Sequence, residues 1–338
     1  MSTPTTMKGW FAYEATADPT AAVSGMKWVD MPVPACGPKQ MLVKTTYAAI
    51  NPIDWKMLMP VYQEMFPCTF PYVPGFDASG VVIAVGAEVT KFSLGDEICV
   101  DLGVKETCGP GHDVPAGGAF AEYFVTQEEL TSKKPPSISF EHAAALPLAG
   151  MTSLQALVDQ GSLQPGQKVL VLGGSSATGT YAIQLAKNCL GASETWTTAS
   201  SNLTPAGSTK IDFCKALGAE VIDYKRANWW EVLAGKDFDL IYDCVGTPTD
   251  VAEASKVLKK GGIFVTIANF AAVASGDFTV KPLLVSSVAA DCDKLLAWAV
   301  QGKITIPVDS VIGVEAVKDG LLKSIKMSDV SGKVVVKF

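Results

Sequence analysis

The sequence predicts an α/β protein in which a doubly wound parallel sheet is joined to a β-rich domain, and three observations carry that prediction. The run Lys168–Lys187, KVLVLGGSSATGTYAIQLAK, passes from an apolar strand through small residues into a helix with apolar spacing at Ile183, Leu185 and Ala186. Three more β-type runs follow, Val221–Ile222, Phe238–Tyr242 and Ile263–Ile267, separated by stretches of helical spacing. Roughly the first 130 residues have another texture, short alternating runs punctuated by Gly75, Gly80, Gly86 and Gly95.

In chain order, Met41–Tyr47, Gly80–Val85 and Glu97–Val100 are expected strands of the β-rich domain, with tight turns at Val85–Val89 and Leu94–Glu97. Lys168–Leu172 opens the parallel sheet, and Glu194–Thr198 is its second strand. A helix is expected over Ala252–Lys260, ended by Gly261-Gly262 before the next strand. Val334–Phe338 is again β-type and is expected to return to the first domain. The boundaries that follow are 1–133 with 291–338 for the β-rich domain and 134–290 for the parallel sheet.

The turn after Leu172 points to a dinucleotide. Small residues let the backbone approach a pyrophosphate, and the helix N-terminus favours its charge. Gly173, Ser176 and Gly179 stand three apart, so serine holds the middle position of the usual glycine pattern. The plain alternative is a strand-to-helix turn of any α/β protein. The expected contacts are Gly173, Ser175, Ser176, Ala177, Thr178 and Gly179, with Val245 and Ile267 at the ends of later strands. NAD sites place an acidic side chain about 20 residues past the glycines to bond the ribose 2′-hydroxyl. Here the stretch reads Thr198, Ala199, Ser200, Ser201, Asn202, without an acid, which points to NADPH rather than NADH. Ser200 and Lys210 are candidates for the 2′-phosphate and Tyr224 for the adenine side. A solvated lysine at a helix start is the other reading of Lys210.

The 338 residues suit about two domains, and the formal net charge of −7 argues against a nucleic-acid partner. No apolar run reaches about 18 residues, so no membrane span is expected. The start MSTPTTMKGW has neither an apolar signal segment nor the arginines of a transit peptide, and a cytoplasmic protein is expected. The eight cysteines are scattered without a Cys-x-x-Cys pair and read as reduced thiols. Cys99, Cys108 and His112 fit no usual zinc spacing, and His142 reads as a structural or surface residue at a helix start.

NPIDWK at Asn51–Lys56, PGFDASGVV at Pro74–Val82, VGAEVTKFSLGDEI at Val85–Ile98, AALPLAGMTSLQAL at Ala144–Leu157, the GGSSATGT turn and the terminal SGKVVVKF resemble the medium-chain dehydrogenase/reductases. Within that superfamily they are most similar to the quinone oxidoreductase and enone reductase branch. The resemblance implies a Rossmann-type sheet binding NADPH and a GroES-like catalytic domain. The zinc alcohol dehydrogenases carry cysteine where this chain has Asn51 and Gly-His-Glu where it has Gly75, Phe76, Asp77; phenylalanine is no ligand, so no metal is expected.

The same resemblance implies that Asn51 lies near the nicotinamide, that Tyr62 is the active-site tyrosine, and that Thr152 lies near the nicotinamide and pyrophosphate. Lys56 is a further cation of the loop, while Asp54 is expected to fix it. The catalytic candidates are thus Tyr62, Asn51 and Lys56. Met57, Met59, Met65, Phe66 and Phe70 read as core or as an apolar substrate wall, and Phe270 is another candidate wall. The leading function is an NADPH-dependent reductase of enones, enals and quinones acting on small lipophilic substrates. A stand-alone enoyl reductase for a CoA- or carrier-linked intermediate and a non-catalytic NADPH-binding protein are the alternatives. The family resemblance also implies a homodimer.

Overall fold

The computed structural model describes residues 4–104, 117–326 and 330–338; Cys108 and His112 lie outside them. The chain forms two compact units, one of Met1–Leu148, Ser287–Val300 and Val308–Phe338, the other of Ala149–Ser286 and Gln301–Pro307.

The first unit begins with β1 (Thr6–Phe11) and β2 (Lys27–Pro32), paired antiparallel. It continues with β3 (Gln40–Ala49), helices Pro52–Lys56 and Pro60–Met65, then β4 (Asp77–Val85), β5 (Glu97–Asp101), β6 (Tyr123–Gln127) and β7 (Thr131–Lys133). Alternate side chains of these strands enter a core that includes the fully buried Met41, Phe76, Phe120 and Phe124. The β3–β4 ladder shifts register twice, and Gly80 is required there because a Cβ would fall 2.2 Å from the Lys44 carbonyl oxygen. The helix Phe140–Ala145 is capped by Ser139 Oγ, which accepts from the His142 amide at 3.2 Å, so His142 stands at a helix start.

The second unit holds β8 (Lys168–Leu172), β9 (Glu194–Ala199), β10 (Glu220–Asp223), β11 (Phe238–Asp243), β12 (Leu258–Thr266) and β13 (Phe278–Pro282). All six run parallel in the order β10-β9-β8-β11-β12-β13, the doubly wound arrangement. The central β8 and β11 are almost continuously buried, as strands covered on both faces are. β14 (Val308–Gly313) and β15 (Lys333–Lys337) return to the first unit, where β15 pairs antiparallel with β3.

One expected element is different. The stretch Ala252–Lys260 is not one helix: a helix covers Pro248–Glu253, a tight turn covers Ala254–Lys256, and β12 already starts at Leu258. Thr247 and Asp250 cap each other reciprocally and set the helix start several residues upstream. Gly261 then bends the strand, at φ +71°, instead of stopping a helix. Among the described residues the cysteines are free, and no helix is long and apolar enough to cross a membrane.

Candidate active site and cofactor cradle

In the second unit the turn after β8 is built by close backbone approach. Gly173 adopts φ +85°, a conformation that favours glycine. A Cβ at Gly179 would lie 2.3 Å from the Gly173 carbonyl oxygen, and one at Gly174 would lie 2.1 Å from Thr197 Oγ1. Gly174 is thus a third required glycine beside the expected Gly173 and Gly179. Ser176, in the middle position of the pattern, is the N-cap of the helix Ala177–Gln184, its Oγ accepting from the Gly179 amide at 3.0 Å. The amides of Ala177 and Thr178 in the first turn have no acceptor among the described residues and stand at the helix start as donors. Thr152 is buried in the helix Pro147–Gln155, and its neighbour Ser153 donates to the Thr178 carbonyl at 2.7 Å, tying that helix to the turn after β8.

The carboxyl ends of the other strands gather around this turn. The Gly173 amide donates to Thr198 Oγ1 at 2.9 Å, and Tyr224 donates from its amide to the Ala199 carbonyl at 3.2 Å. Asp243 accepts from the amides of Val245 and Gly246, both at 2.9 Å, and from Thr266 Oγ1 at 2.9 Å. Burial pushes the Asp243 carboxyl above the usual range while those two amides pull the other way. This carboxylate, which the sequence did not single out, shapes the loops carrying Val245 and Ile267. Ser200 and Lys210 are both buried, Tyr224 is exposed, and Phe270 is exposed on the loop after β12.

In the first unit Asn51 closes β3 and caps the helix Pro52–Lys56. Its Nδ2 donates to Asp77 Oδ2 at 2.9 Å and to the Ala49 carbonyl at 3.3 Å, and its Oδ1 accepts from the ammonium of Lys333. Lys333 also donates to Asp77 Oδ2 at 2.9 Å, and this ion pair is fully buried. Both amide hydrogens of Asn51 are therefore committed, and an Oδ1 lone pair is what it has left for a ligand. Asp77 Oδ1 accepts from the Leu148 amide at 2.8 Å. Asp54 is buried with one oxygen accepting from the Asn51 amide at 2.6 Å and the other without a hydrogen-bond partner among the described residues. Burial pushes its carboxyl well above the usual range, against the Asn51 amide and the Lys333 charge. Through the Asn51 amide Asp54 ties the start of the helix Pro52–Lys56 to the end of the loop that follows β3.

Lys56 and Tyr62 meet. The Lys56 ammonium lies 5.8 Å from the Tyr62 ring centroid and 5.8 Å from that of Trp55. Both residues are half-buried; burial lowers the Lys56 pKa from the usual lysine range and raises that of Tyr62. No carboxylate pairs with Lys56 among the described residues. Of the loop side chains read as core or wall, Met57 is core, Phe66 and Phe70 pack against that core, and Met65 is exposed. Lys333 was missed because it lies in a run that reads only as a strand; the signal was a lysine at a position where the strand pattern is otherwise inward and apolar.

Two family models match the chain, an alcohol dehydrogenase GroES-like domain over residues 37–136 and a zinc-binding dehydrogenase over residues 217–336. The chain is 31% identical over 334 residues to a chloroplast envelope quinone oxidoreductase homolog of Arabidopsis thaliana, covering 93% of this chain and 94% of that one. It is 36% identical over 269 residues to a 2-methylene-furan-3-one reductase of Solanum lycopersicum, covering 79% of this chain and 63% of the relative, less than two thirds of its length. An NADPH-dependent alkenal/one oxidoreductase of Arabidopsis thaliana, chloroplastic, is 37% identical over 239 residues, covering 70% of this chain and 56% of that one. Among solved structures, the quinone oxidoreductase from Coxiella burnetii superposes with a TM-score of 0.84 at 27% identity, covering 98% of this chain and 99% of that one. With this fold, these motifs and these relatives, the chain belongs to the medium-chain dehydrogenase/reductases, a family of nicotinamide-dependent oxidoreductases.

Proposed function

We propose that the protein is an NADPH-dependent reductase that transfers hydride to the β-carbon of α,β-unsaturated carbonyl compounds, with quinones as overlapping acceptors, and that it works without zinc. The observation that carries the reading is the Lys56–Tyr62 pair: a half-buried ammonium without a carboxylate partner among the described residues, lying over a phenol. The names of the relatives, an alkenal/one oxidoreductase, a furanone reductase and a quinone oxidoreductase homolog, support the same acceptors.

The residues present fit a dinucleotide. Gly173, Gly174 and Gly179 leave space that a Cβ would fill, Ala177 and Thr178 offer amides, and no acid follows β9 to repel a 2′-phosphate. When bound, NADPH supplies the hydride. The family model's name also implies zinc, and there the donor set does not fit. Of the three positions that correspond to ligands in the zinc enzymes, Phe76 has no ligating atom, and Asn51 Oδ1 and Asp77 Oδ2 already hold the Lys333 ammonium. No step is routed through a metal.

As hydride reaches the β-carbon, the π electrons move to the carbonyl oxygen, and the resulting enolate takes a proton at its α-carbon. Lys56 donates from Nζ to the oxygen where charge develops, and Tyr62 Oη relays the proton, replenished from solvent. Asn51 meets its ligand as an acceptor, because Lys333 and Asp77 fix its amide. With a quinone the same hydride and proton give the hydroquinone. The reading includes a homodimer, supported by β13, an edge strand with a neighbour on one side only; the mass in solution tests it.

Turnover with NADPH deuterated at its transferable position, against an enone, an ortho-quinone and a crotonyl thioester, tests the reading. Label at the β-carbon of the enone product is expected. Turnover of the thioester alone, or binding of NADPH without turnover, overturns it.

A further inference from the structure

The carboxyl end of β9 is bridged by two residues that have no role in the reaction above. Asp223 of β10 lies opposite Ala199 of β9, and the Tyr224 amide bonds the Ala199 carbonyl at 3.2 Å, which holds the two strand ends together. From the next position the Lys225 ammonium reaches back and donates to Asn202 Oδ1 at 2.8 Å. Asn202 is itself fixed: its carbonyl accepts from the Lys210 amide at 2.9 Å, and the loop beyond it is closed by a Leu203–Thr209 bridge and a Thr204 amide to Ser208 carbonyl bond of 2.8 Å. The inserted loop thus has a defined shape and presents Asn202 to Lys225.

Three other cationic or hydroxyl groups nearby are bonded, buried or paired. Thr198 Oγ1 accepts from the Gly173 amide, Lys210 is buried at 5% exposure, and Arg226 pairs with Asp223 at 3.5 Å. Lys225 is exposed, and Asn202 takes one of its three N–H donors. A strongly accepting group arriving at the end of β9 would meet this ammonium, already held in place by a neutral amide oxygen that a phosphate dianion outcompetes.

We infer that Lys225, held by Asn202, recognises the phosphate on the adenosine ribose 2′-oxygen and thereby sets the preference for NADPH over NADH. The inference rests on the NADPH reading and deepens it, moving the specificity charge from the buried Lys210 to an exposed lysine after β10. Lys225 makes no contact with reacting atoms; it acts through affinity for one half of the cofactor.

Calorimetric titration of the intact protein with adenosine 2′,5′-bisphosphate and with 5′-AMP is the test. The wild type is expected to prefer the bisphosphate. Lys225→Ala is expected to weaken the bisphosphate by about 10- to 100-fold, the worth of one charge-assisted hydrogen bond, and to leave 5′-AMP unchanged. Lys225→Arg is expected to keep most of the preference, and Lys210→Met most of it as well. A wild-type preference that survives Lys225→Ala, or that falls only with Lys210→Met, overturns the assignment while leaving NADPH as cofactor. A wild type that binds both ligands equally overturns the NADPH reading and the assignment together.

Discussion

Lys56 and Lys333 are two lysines with opposite situations, and each gives a prediction. Burial lowers the Lys56 pKa from the usual lysine value, so its ammonium form is lost at lower pH than for a free lysine. Reduction that depends on this donor is expected to fall on the alkaline side with an apparent pKa below the usual lysine value. In Lys56→Met the rate is expected to drop about 100-fold and the alkaline limb to disappear; a pH profile of kcat/KM measures both. A limb that persists in the variant would assign the titration to another group. Lys333 is fully buried and paired with Asp77, so Lys333→Met strands a buried carboxylate. A loss of about 3–5 kcal/mol in unfolding free energy is expected, read by chemical denaturation. The double variant Lys333→Met/Asp77→Leu is expected to recover part of it, because no unpaired charge is left.

At the scale of elements, the strand, turn and helix from Lys168 to Gln184 depend on contacts that a single methyl group disrupts. Gly179→Ala places a Cβ 2.3 Å from a backbone oxygen, which cannot rotate away. A loss of about 1–3 kcal/mol is expected, together with weaker NADPH binding, and a thermal melt with a binding titration measures both. Gly207→Ala, where nothing lies within 4 Å but φ is +85°, is the control for backbone strain alone. This strand–turn–helix was legible in the sequence because the apolar period, the small residues and the helix spacing are all local. The Ala252–Lys260 segment was not, since its helix start is set by the reciprocal Thr247–Asp250 cap and its end by pairing of Leu258 with Phe238 on β11. Of the candidate site, the loop from Asn51 to Tyr62 was legible as a motif. The orientation of the Asn51 amide was not, because Asp77, which accepts one of its hydrogens, and the Lys333 ammonium on its oxygen come from distant strands.

For the molecule as a whole, buried carboxyl groups make stability depend on pH. Burial, then the charge of Asp77, raises the Asp101 carboxyl from the usual 3.8 to about 7, against a hydrogen bond from Ser287. Between those two values the folded protein holds a proton that the unfolded chain has released, so stability is expected to fall as pH rises from about 4 to about 7. Denaturation measured across that range is expected to show the decline, and Asp101→Asn to flatten it. A slope unchanged in the variant would place the proton elsewhere. The sequence by itself determined the two kinds of sheet, the glycine-rich turn after β8 and the loop motif that starts at Asn51, because strand alternation, helix spacing and glycine placement act over a few neighbouring residues. Tertiary structure decided which polar groups remain available for chemistry. Lys333 reaches Asn51 across 282 positions and Asp77 across 256, and only the packing of β15 against β3 brings that buried charge to the carboxyl and amide it satisfies.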